Sequence, residues 1–494
     1  MPAVSSLGIG SGLDLNALLS GLKTAEQVPL AAIQTKQTSY TTKLTAYGQL
    51  SSALGTLQTA AAALAKPELY TAVKATSSAT DVLTASAGAT ASNGTYALNV
   101  TQLSQAQSLA ADGVAANASF GAGGLVDLKF EFGSVSVSAI PSVFTPDGTG
   151  RNGSVSIPAG STMADIAKAI NANTALGATA SIINNGDPAN PSQLVLTSKQ
   201  TGEASIMRIT VSGEAAGDTV LSNLLTYNPT DSANQKLKQT AAALNTKLTI
   251  NGIGITSTTN TVAGAIQDTT LSVLKIGTST LSVKQDADSV KTAVTTFVSA
   301  YNSLQGLAKK LTAFDAASKS GAVLLGDSTL RNIQVGIRSA LTSVQAGDAS
   351  GSGLTMLSQI GVTFEKDGSL AIDSTTSNVA SPVKLATVLD SNMSGVAKLF
   401  SGTGGVGGYG AQLSALLTSY TSTTSGSLTA ATKGINTTLD VLGKQYTATS
   451  ERADATVARY KAQFTQLDRM MSRMNQTSTY LTAQFAALNN SNNK

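Results

Sequence analysis

The longest hydrophobic pattern in the chain lies near its C-terminus, where positions recur in steps of three and four. All but one of them are apolar: Val457, Tyr460, Phe464, Leu467, Met471, Met474, Ser478, Leu481, Phe485 and Leu488. A stripe of this period is typical of a coiled-coil helix, which packs against another helix. The alternative is the core-facing stripe of an ordinary bundle. Because the stripe is narrow and continues almost to the last residue, we favour a coiled coil.

A second stripe of the same period lies near the N-terminus. Its members recur every seven residues, and three leucines accompany them: Ile33, Tyr40, Tyr47, Leu54 and Ala61, with Leu50, Leu57 and Leu64. Stripes at both termini predict that the two ends of the chain meet and assemble with copies of the protein. The residues expected to make these oligomer or filament contacts are Ile33, Tyr40, Tyr47, Leu54, Tyr460, Phe464, Leu467, Met471, Met474, Leu481, Phe485 and Leu488.

The sequence pattern of the N-terminal segment predicts a flexible leader followed by helices. Small residues fill positions 1–12, and a helical pattern begins at Leu13. Proline is well tolerated in the first turn of a helix, so Pro29 is expected to open a second long helix. We expect Pro67 to end that helix.

The middle of the chain, from about residue 70 to residue 285, has short alternating runs bounded by turn residues, which predict β-strands. The clearest runs are Tyr96–Val100, Lys129–Phe132, Val135–Val137, Gln193–Leu196, Met207–Val211, Leu248–Ile250 and Leu281–Val283. Asn251-Gly252 is a hairpin-type turn signal. One short helix is predicted at Met163–Asn171.

Helical patterns return after about residue 289. Ser328 is a candidate N-cap for a helix that runs through Leu341. A β-hairpin is predicted over Ile360–Ile372, and a further helix over Pro382–Phe400. Glycines at Gly404–Gly408 predict a break, and the last helices are expected from Ala411 to Ala487.

The patterns together predict an α+β, multidomain protein, and 494 residues suit about three domains on length alone. Terminal coiled-coil helices are expected from 1–40 with 450–494, and a helical leg domain from 41–69 with 286–449. Two mainly-β head domains are inserted between them. One is expected from 70–111 with 238–285, and the other, a variable domain, from 112–237.

Composition excludes several classes of function. The chain has no cysteine and no histidine, which removes thiolate and histidine catalysis and the usual zinc sites. Charged residues make up 12% and the net charge is only +4, and no tryptophan is available to stack on bases, so we expect no nucleic-acid partner. No apolar run approaches the roughly 20 residues that span a bilayer, so no membrane insertion is expected. The first residues lack the features of a cleaved signal peptide.

Two motifs were considered as binding sites and rejected. Gly8, Gly10 and Gly12 alternate, but neither dinucleotide spacing nor a Gly-Lys-Ser/Thr phosphate loop is present. Asp286 and Asp288 do not match a calcium loop, and a solvated connection to a helix explains them better. We therefore expect no catalytic, metal or cofactor site, and no enzyme.

Several segments resemble one known family when they are taken in chain order: Ser6–Asp14, Asn93–Val100, Phe297–Asn302, Gly326–Ser328, Ile360–Val362, Asp367–Leu370 and Tyr480-Leu481. They are similar to the flagellar filament cap proteins, the hook-associated protein 2 or FliD family. Ile166–Asn171 also resembles a motif of inserted flagellin domains. The resemblance covers the chain, and only about 112–237 matches loosely.

The resemblance implies a bacterial protein that is exported unfolded through the flagellar type III pathway. Its copies would form a cap at the filament tip, promote flagellin polymerisation and prevent monomer leakage, as filament elongation and motility require. Flagellin and the hook–filament junction proteins are implied partners, together with an export chaperone at the C-terminal helix. Two alternatives stay open: a tip-exposed adhesin for host glycan or mucin, and another flagellin-like axial protein.

Overall fold

The computed structural model describes residues 14–121, 123–136, 140–345, 353–373, 383–402 and 407–491. The chain divides into two compact units. The helical unit runs up to Tyr70 and resumes at Ala287, and the β unit is Thr71–Asp286. This arrangement confirms the α+β prediction. The leader, expected to be flexible, lies outside the described residues, as does most of the predicted break at Gly404–Gly408.

The helices in chain order are α1 (Leu15–Leu64), α2 (Glu68–Thr71), α3 (Met163–Ala172), α4 (Val220–Leu225), α5 (Ala287–Thr312), α6 (Ser328–Thr342), α7 (Leu385–Ser401), α8 (Tyr409–Thr421) and α9 (Ser427–Ser491). The strands are β1 (Val73–Ser77), β2 (Leu83–Ala87), β3 (Gly94–Gln102), β4 (Ser108–Ala110), β5 (Ser119–Phe120), β6 (Val126–Ser136), β7 (Val143–Pro146), β8 (Gly153–Ile157), β9 (Ser161–Thr162), β10 (Ala178–Asn184), β11 (Ser192–Ser198), β12 (Ile206–Ser212), β13 (Lys238–Ala241), β14 (Thr246–Ile250), β15 (Ile253–Ser257), β16 (Thr261–Ile266), β17 (Thr269–Val273), β18 (Gly277–Gln285), β19 (Phe314–Asp315), β20 (Ser320–Gly321), β21 (Val362–Phe364) and β22 (Leu370–Ile372).

The first helix, α1, is a single helix of 50 residues. The Asp14 side chain caps it by accepting a hydrogen bond from the Ala17 amide at 2.9 Å. Pro29 lies inside the helix, so the prediction that it opens a second helix is wrong. A proline removes one intrahelical hydrogen bond, yet the 50-residue helix α1 continues through Pro29, and the next side chain, Leu30, is buried. Pro67 follows the end of α1, as predicted.

One apolar core holds the helical unit together. It is formed by α1, α5, α6, α7, α8 and the start of α9. The α1–α8 crossing is close: a Cβ on Gly410 would lie 2.8 Å from both the Ala61 carbonyl oxygen and the Ala65 amide nitrogen. Only glycine therefore fits at this position of α8 without movement of the backbone.

The Asn302 side chain joins α5 to the hairpin β21–β22 through two hydrogen bonds. The predicted hairpin over Ile360–Ile372 is confirmed, and its strands pair with Phe364 opposite Leu370. The Asn302 amide on α5 donates to the Leu370 carbonyl oxygen and accepts from its N–H, both at 2.8 Å. At the start of α6 the N-cap is Asp327, one residue before the predicted Ser328, because the Asp327 carboxylate accepts from the Leu330 amide.

The β unit contains two apolar cores. The first lies in a five-stranded sheet of order β1-β18-β3-β14-β15 and a three-stranded sheet of order β16-β17-β2. The Asn251-Gly252 turn joins β14 to β15, with φ of 50° and 85° at its two residues. Positive φ at both positions is the hairpin geometry that this dipeptide favours, so the turn prediction is confirmed.

The second core lies between sheets β10-β11-β4-β13 and β12-β6-β7, where β8 also pairs with β6 and α3 packs alongside. The predicted helix at Met163–Asn171 is confirmed as α3, which the Thr162 and Asp165 side chains cap reciprocally. The short helix α4 was not predicted from the sequence pattern. Strands β4 and β13 belong to the sheet β10-β11-β4-β13. Both lie outside 112–237, the range expected for the inserted head domain.

Candidate assembly surface

Helices α1 and α9 run antiparallel. The start of α9 packs into the helical core with the C-terminal half of α1, and farther along, the Gln34 amide donates to the Tyr446 hydroxyl at 3.2 Å. Both helices advance about 1.5 Å per residue, so Asp14 lies level with about Gln466 of α9. The remainder of α9, to Ser491, extends about 37 Å past that level.

Burial along α9 follows this geometry. The side chains of Tyr460, Phe464 and Met471 are half-buried, and the rings of the first two stack with centroids 6.5 Å apart. From Arg473 to Leu488 every side chain is exposed. The side chains of α9 from Arg473 to Leu488 are therefore exposed along the part of the helix that lies beyond the described start of α1.

The apolar stripe continues on this exposed part of α9. We call the following residues the C-terminal seam: Tyr460, Phe464, Leu467, Met471, Met474, Leu481, Phe485 and Leu488. Exposure is 47% at Leu481, 64% at Phe485 and 58% at Leu488. Burial of one such side chain contributes about 1.5–3 kcal/mol, so a contiguous exposed stripe favours packing against a further helix.

The N-terminal stripe is placed differently. Tyr47 is 2% exposed and Leu54 is 0% exposed, and both belong to the core of a single chain. Contact with other copies was expected for them, but α5, α8 and α9 of the same chain already pack on α1. Ile33 and Tyr40 are half-buried. The added leucines at 50, 57 and 64 widen the stripe, and that width is the signal of a core-facing helix.

A charged group that the sequence patterns did not reveal joins α1 to α6. The Asp327 carboxylate accepts from the Tyr47 hydroxyl and from the Lys43 ammonium, each at 2.7 Å. Burial by itself would raise the pKa of Asp327, but the hydrogen bonds from Lys43, Tyr47 and Leu330 hold it below its usual value. Burial, together with the hydrogen bond to Asp327, raises the pKa of Tyr47 to about 12. Tyr47 therefore acts as a buried donor inside one chain.

The described residues offer little for other chemistry. Among them no group of three or more acidic side chains is placed to hold a metal ion. Within the same ranges, no helix combines the length and apolarity needed to cross a membrane.

Comparison with known proteins decides the family. Models of the N-terminus and C-terminus of flagellar hook-associated protein 2 match residues 11–107 and 243–476. Flagellar hook-associated protein 2 of Escherichia coli strain K12 is 38% identical over 507 residues, with 100% of both chains covered. The chain belongs to the flagellar hook-associated protein 2 family.

Other relatives of the chain agree with the assignment. The Salmonella typhimurium protein of the same name is 38% identical over 99% of this chain and 100% of its own. A crystal structure of the D1-D2-D3 domains of the Escherichia coli flagellar cap protein FliD matches with a TM-score of 0.56 and 34% identity. It covers 79% of this chain and 99% of that one.

The flagellin hook IN motif matches residues 147–200 and includes the segment Ile166–Asn171. The resemblance to the FliD family is thereby confirmed. These relatives are structural proteins of the flagellum, and nothing in them supports the adhesin alternative.

Proposed function

We propose that this protein is the structural cap at the distal tip of the bacterial flagellar filament. Its copies form an oligomer that promotes flagellin polymerisation and prevents monomer leakage, so that filament elongation and motility depend on it. The relatives named as cap and hook-associated proteins support this role. The observation that carries it is the exposed end of the C-terminal seam on the part of α9 beyond the described start of α1: Met474, Leu481, Phe485 and Leu488. This surface is suited to helix packing.

Within this proposal, the C-terminal seam makes the contacts between copies or with the filament. Ile33 and Tyr40 contribute from α1, where they remain half-buried. Tyr47 and Leu54 are left out because they lie in the core of one chain. The core residues of α1 begin at Ala46 and those of α9 end at Ile435, which supports a separate terminal coiled coil from 1–40 with 450–494.

The remaining parts of the chain take the other roles. Residues 41–69 with 286–449 form the leg domain, and the β unit forms the two head domains. The protein is secreted and extracellular at the filament tip, and it has no enzymatic activity. Its further partners are the hook–filament junction proteins and an export chaperone at the C-terminal helix.

The test places a charge on the exposed seam. The double variant Leu481→Asp with Phe485→Asp would bury unpaired charges wherever the seam packs, which strongly disfavours that interface. We expect a strain that carries only this variant to lose motility and to release flagellin monomers, while the purified chain keeps its helical and β cores. Tyr480→Asp is the matched control, because Tyr480 is 63% exposed but lies off the seam.

Normal swimming by the double variant would refute the seam as a functional contact. Equal loss of motility with Tyr480→Asp would show that any charge on this helix is harmful. That result would also remove the support for a specific seam.

A further inference from the structure

Methionines are concentrated on the exposed part of α9. The sequence contains eight methionines, and three of them are Met470, Met471 and Met474. Met470 is 67% exposed and Met474 is 57% exposed, while Met471 is half-buried. The buried methionines elsewhere are Met163, Met207 and Met393, at 3%, 0% and 5% exposure. Because the chain has no cysteine, methionine supplies all of its sulfur.

Two of the three methionines belong to the C-terminal seam. Met471 and Met474 occupy consecutive positions of its alternating three- and four-residue spacing, between Leu467 and Leu481. Met470 lies beside the seam and is more exposed than either. The cluster therefore contains two sulfur atoms that would be buried on assembly and one that serves as an internal control.

We propose that Met471 and Met474 form an oxidant-sensitive modification site that controls assembly through the C-terminal seam. This inference rests on the proposed function. The co-reactant is a two-electron oxidant of the peroxide class. Hydrogen peroxide transfers one oxygen atom to the thioether sulfur: its O–O bond breaks, an S–O bond forms, and water leaves. The sulfur is oxidised to the sulfoxide and the peroxide is reduced.

The physical effect follows from where the new oxygen would lie. Oxidation converts a flexible apolar side chain into a polar, chiral one. In the free chain the sulfoxide oxygen on exposed α9 is hydrated by water. In a packed helix interface the same oxygen loses its water and finds no donor among apolar seam residues, so the assembled state is disfavoured. Assembly in turn covers the sulfur atoms and protects them from oxidant.

The first measurement locates the modification. The full-length chain is treated with hydrogen peroxide, once as dilute subunit and once as assembled cap, and each methionine is followed by peptide mass spectrometry. In dilute subunit we expect Met470 and Met474 to be oxidised first and Met471 next, with the three buried methionines last. In the cap, Met471 and Met474 should be protected while Met470 remains reactive.

The second measurement links the modification to assembly. Sedimentation velocity should show that the oxidised chain no longer assembles, and that methionine sulfoxide reductases with a thiol reductant restore assembly. The double variant Met471→Leu with Met474→Leu keeps an apolar side chain of similar volume without sulfur. It should assemble normally and continue to do so after peroxide. The control Met470→Leu should be no better protected than the unsubstituted chain.

This inference alone would be overturned by normal assembly of a chain that is oxidised at Met471 and Met474, or by failure of the double leucine variant to resist peroxide. Resistance of both methionines to peroxide in dilute subunit would also overturn it. If the untreated chain does not assemble at all, the proposed function fails first and this inference fails with it.

Discussion

The carboxylate of Asp327 offers a sharp test of how the helical unit is held together. Its side chain is 6% exposed and it joins α1 to α6 through Tyr47, Lys43 and the amide of Leu330. The substitution Asp327→Ala removes all three contacts and leaves the Tyr47 hydroxyl inside the unit without its acceptor. We therefore expect a loss in the free energy of unfolding of the helical unit.

The size of this loss in the free energy of unfolding follows from the contacts that Asp327→Ala removes. Loss of the helix cap contributes about 1 kcal/mol. Loss of a hydrogen bond to a charged group contributes about 1.5–3 kcal/mol. The ammonium of Lys43 is 33% exposed, so its ion pair adds little. The total is about 3 kcal/mol, which lowers the unfolding midpoint of the helical unit by about 5 °C, since the entropy of unfolding is about 2.1 cal/mol/K per residue.

The assay is calorimetric or circular-dichroism unfolding of the full chain, with the helical transition followed at neutral pH. Asp440→Ala is the matched control, because the Asp440–Lys444 pair has the same 2.7 Å separation but lies in solvent on α9. The control should change the midpoint very little. Equal effects of the two substitutions would refute the argument that burial of Asp327 makes its contacts important.

Three further predictions follow from the same structure. Gly410→Ala should destabilise the helical unit by about 1–3 kcal/mol through overpacking against α1. Gly48→Ala, which has open space around it, should instead stabilise the unit by about 0.5–1 kcal/mol. Urea unfolding measures both changes, and equal effects would contradict the close crossing of α1 and α8. The pKa of Tyr47 is raised to about 12, so its contribution to the free energy of unfolding is complete below about pH 10 and is lost as the pH rises toward 12. Urea unfolding midpoints that stay constant between pH 10 and 12 would contradict this. Hydrogen exchange should be fast at 1–40 and 455–494 in dilute subunit and slow in the assembled cap, because most side chains in the described parts of these ranges are exposed or half-buried. Strong protection in a proven monomer would favour an ordinary bundle.

Much of the local structure could be predicted because its causes lie within a few residues. The Asn251-Gly252 turn, the hairpin over Ile360–Ile372 and the helix at Met163–Asn171 each follow from short-range patterns, and the structure confirms them. The heptad period of the C-terminal seam likewise identified α9 as a helix with one apolar side.

The errors concern information that lies outside a local pattern. Whether a helix continues through Pro29 depends on the packing of the whole 50-residue helix, which the local pattern around the proline does not reveal. The stripe containing Tyr47 and Leu54 has the correct period, but the period does not say whether a partner helix comes from the same chain. Which part of α9 is exposed depends on its register with α1, and this register brings together residues far apart in sequence, such as Gln34 and Tyr446.

In the proposed function, the C-terminal seam becomes buried when the cap assembles. The chain has no cysteine, so a single thiol reports on one position only. The rate of maleimide alkylation should be measured for Leu481→Cys, on the seam, and for Tyr480→Cys, beside it, in dilute subunit and in assembled cap. We predict that alkylation at position 481 slows strongly on assembly while position 480 changes little. Equal reactivity at position 481 in the two states would show that the C-terminal seam is not buried in the assembled cap.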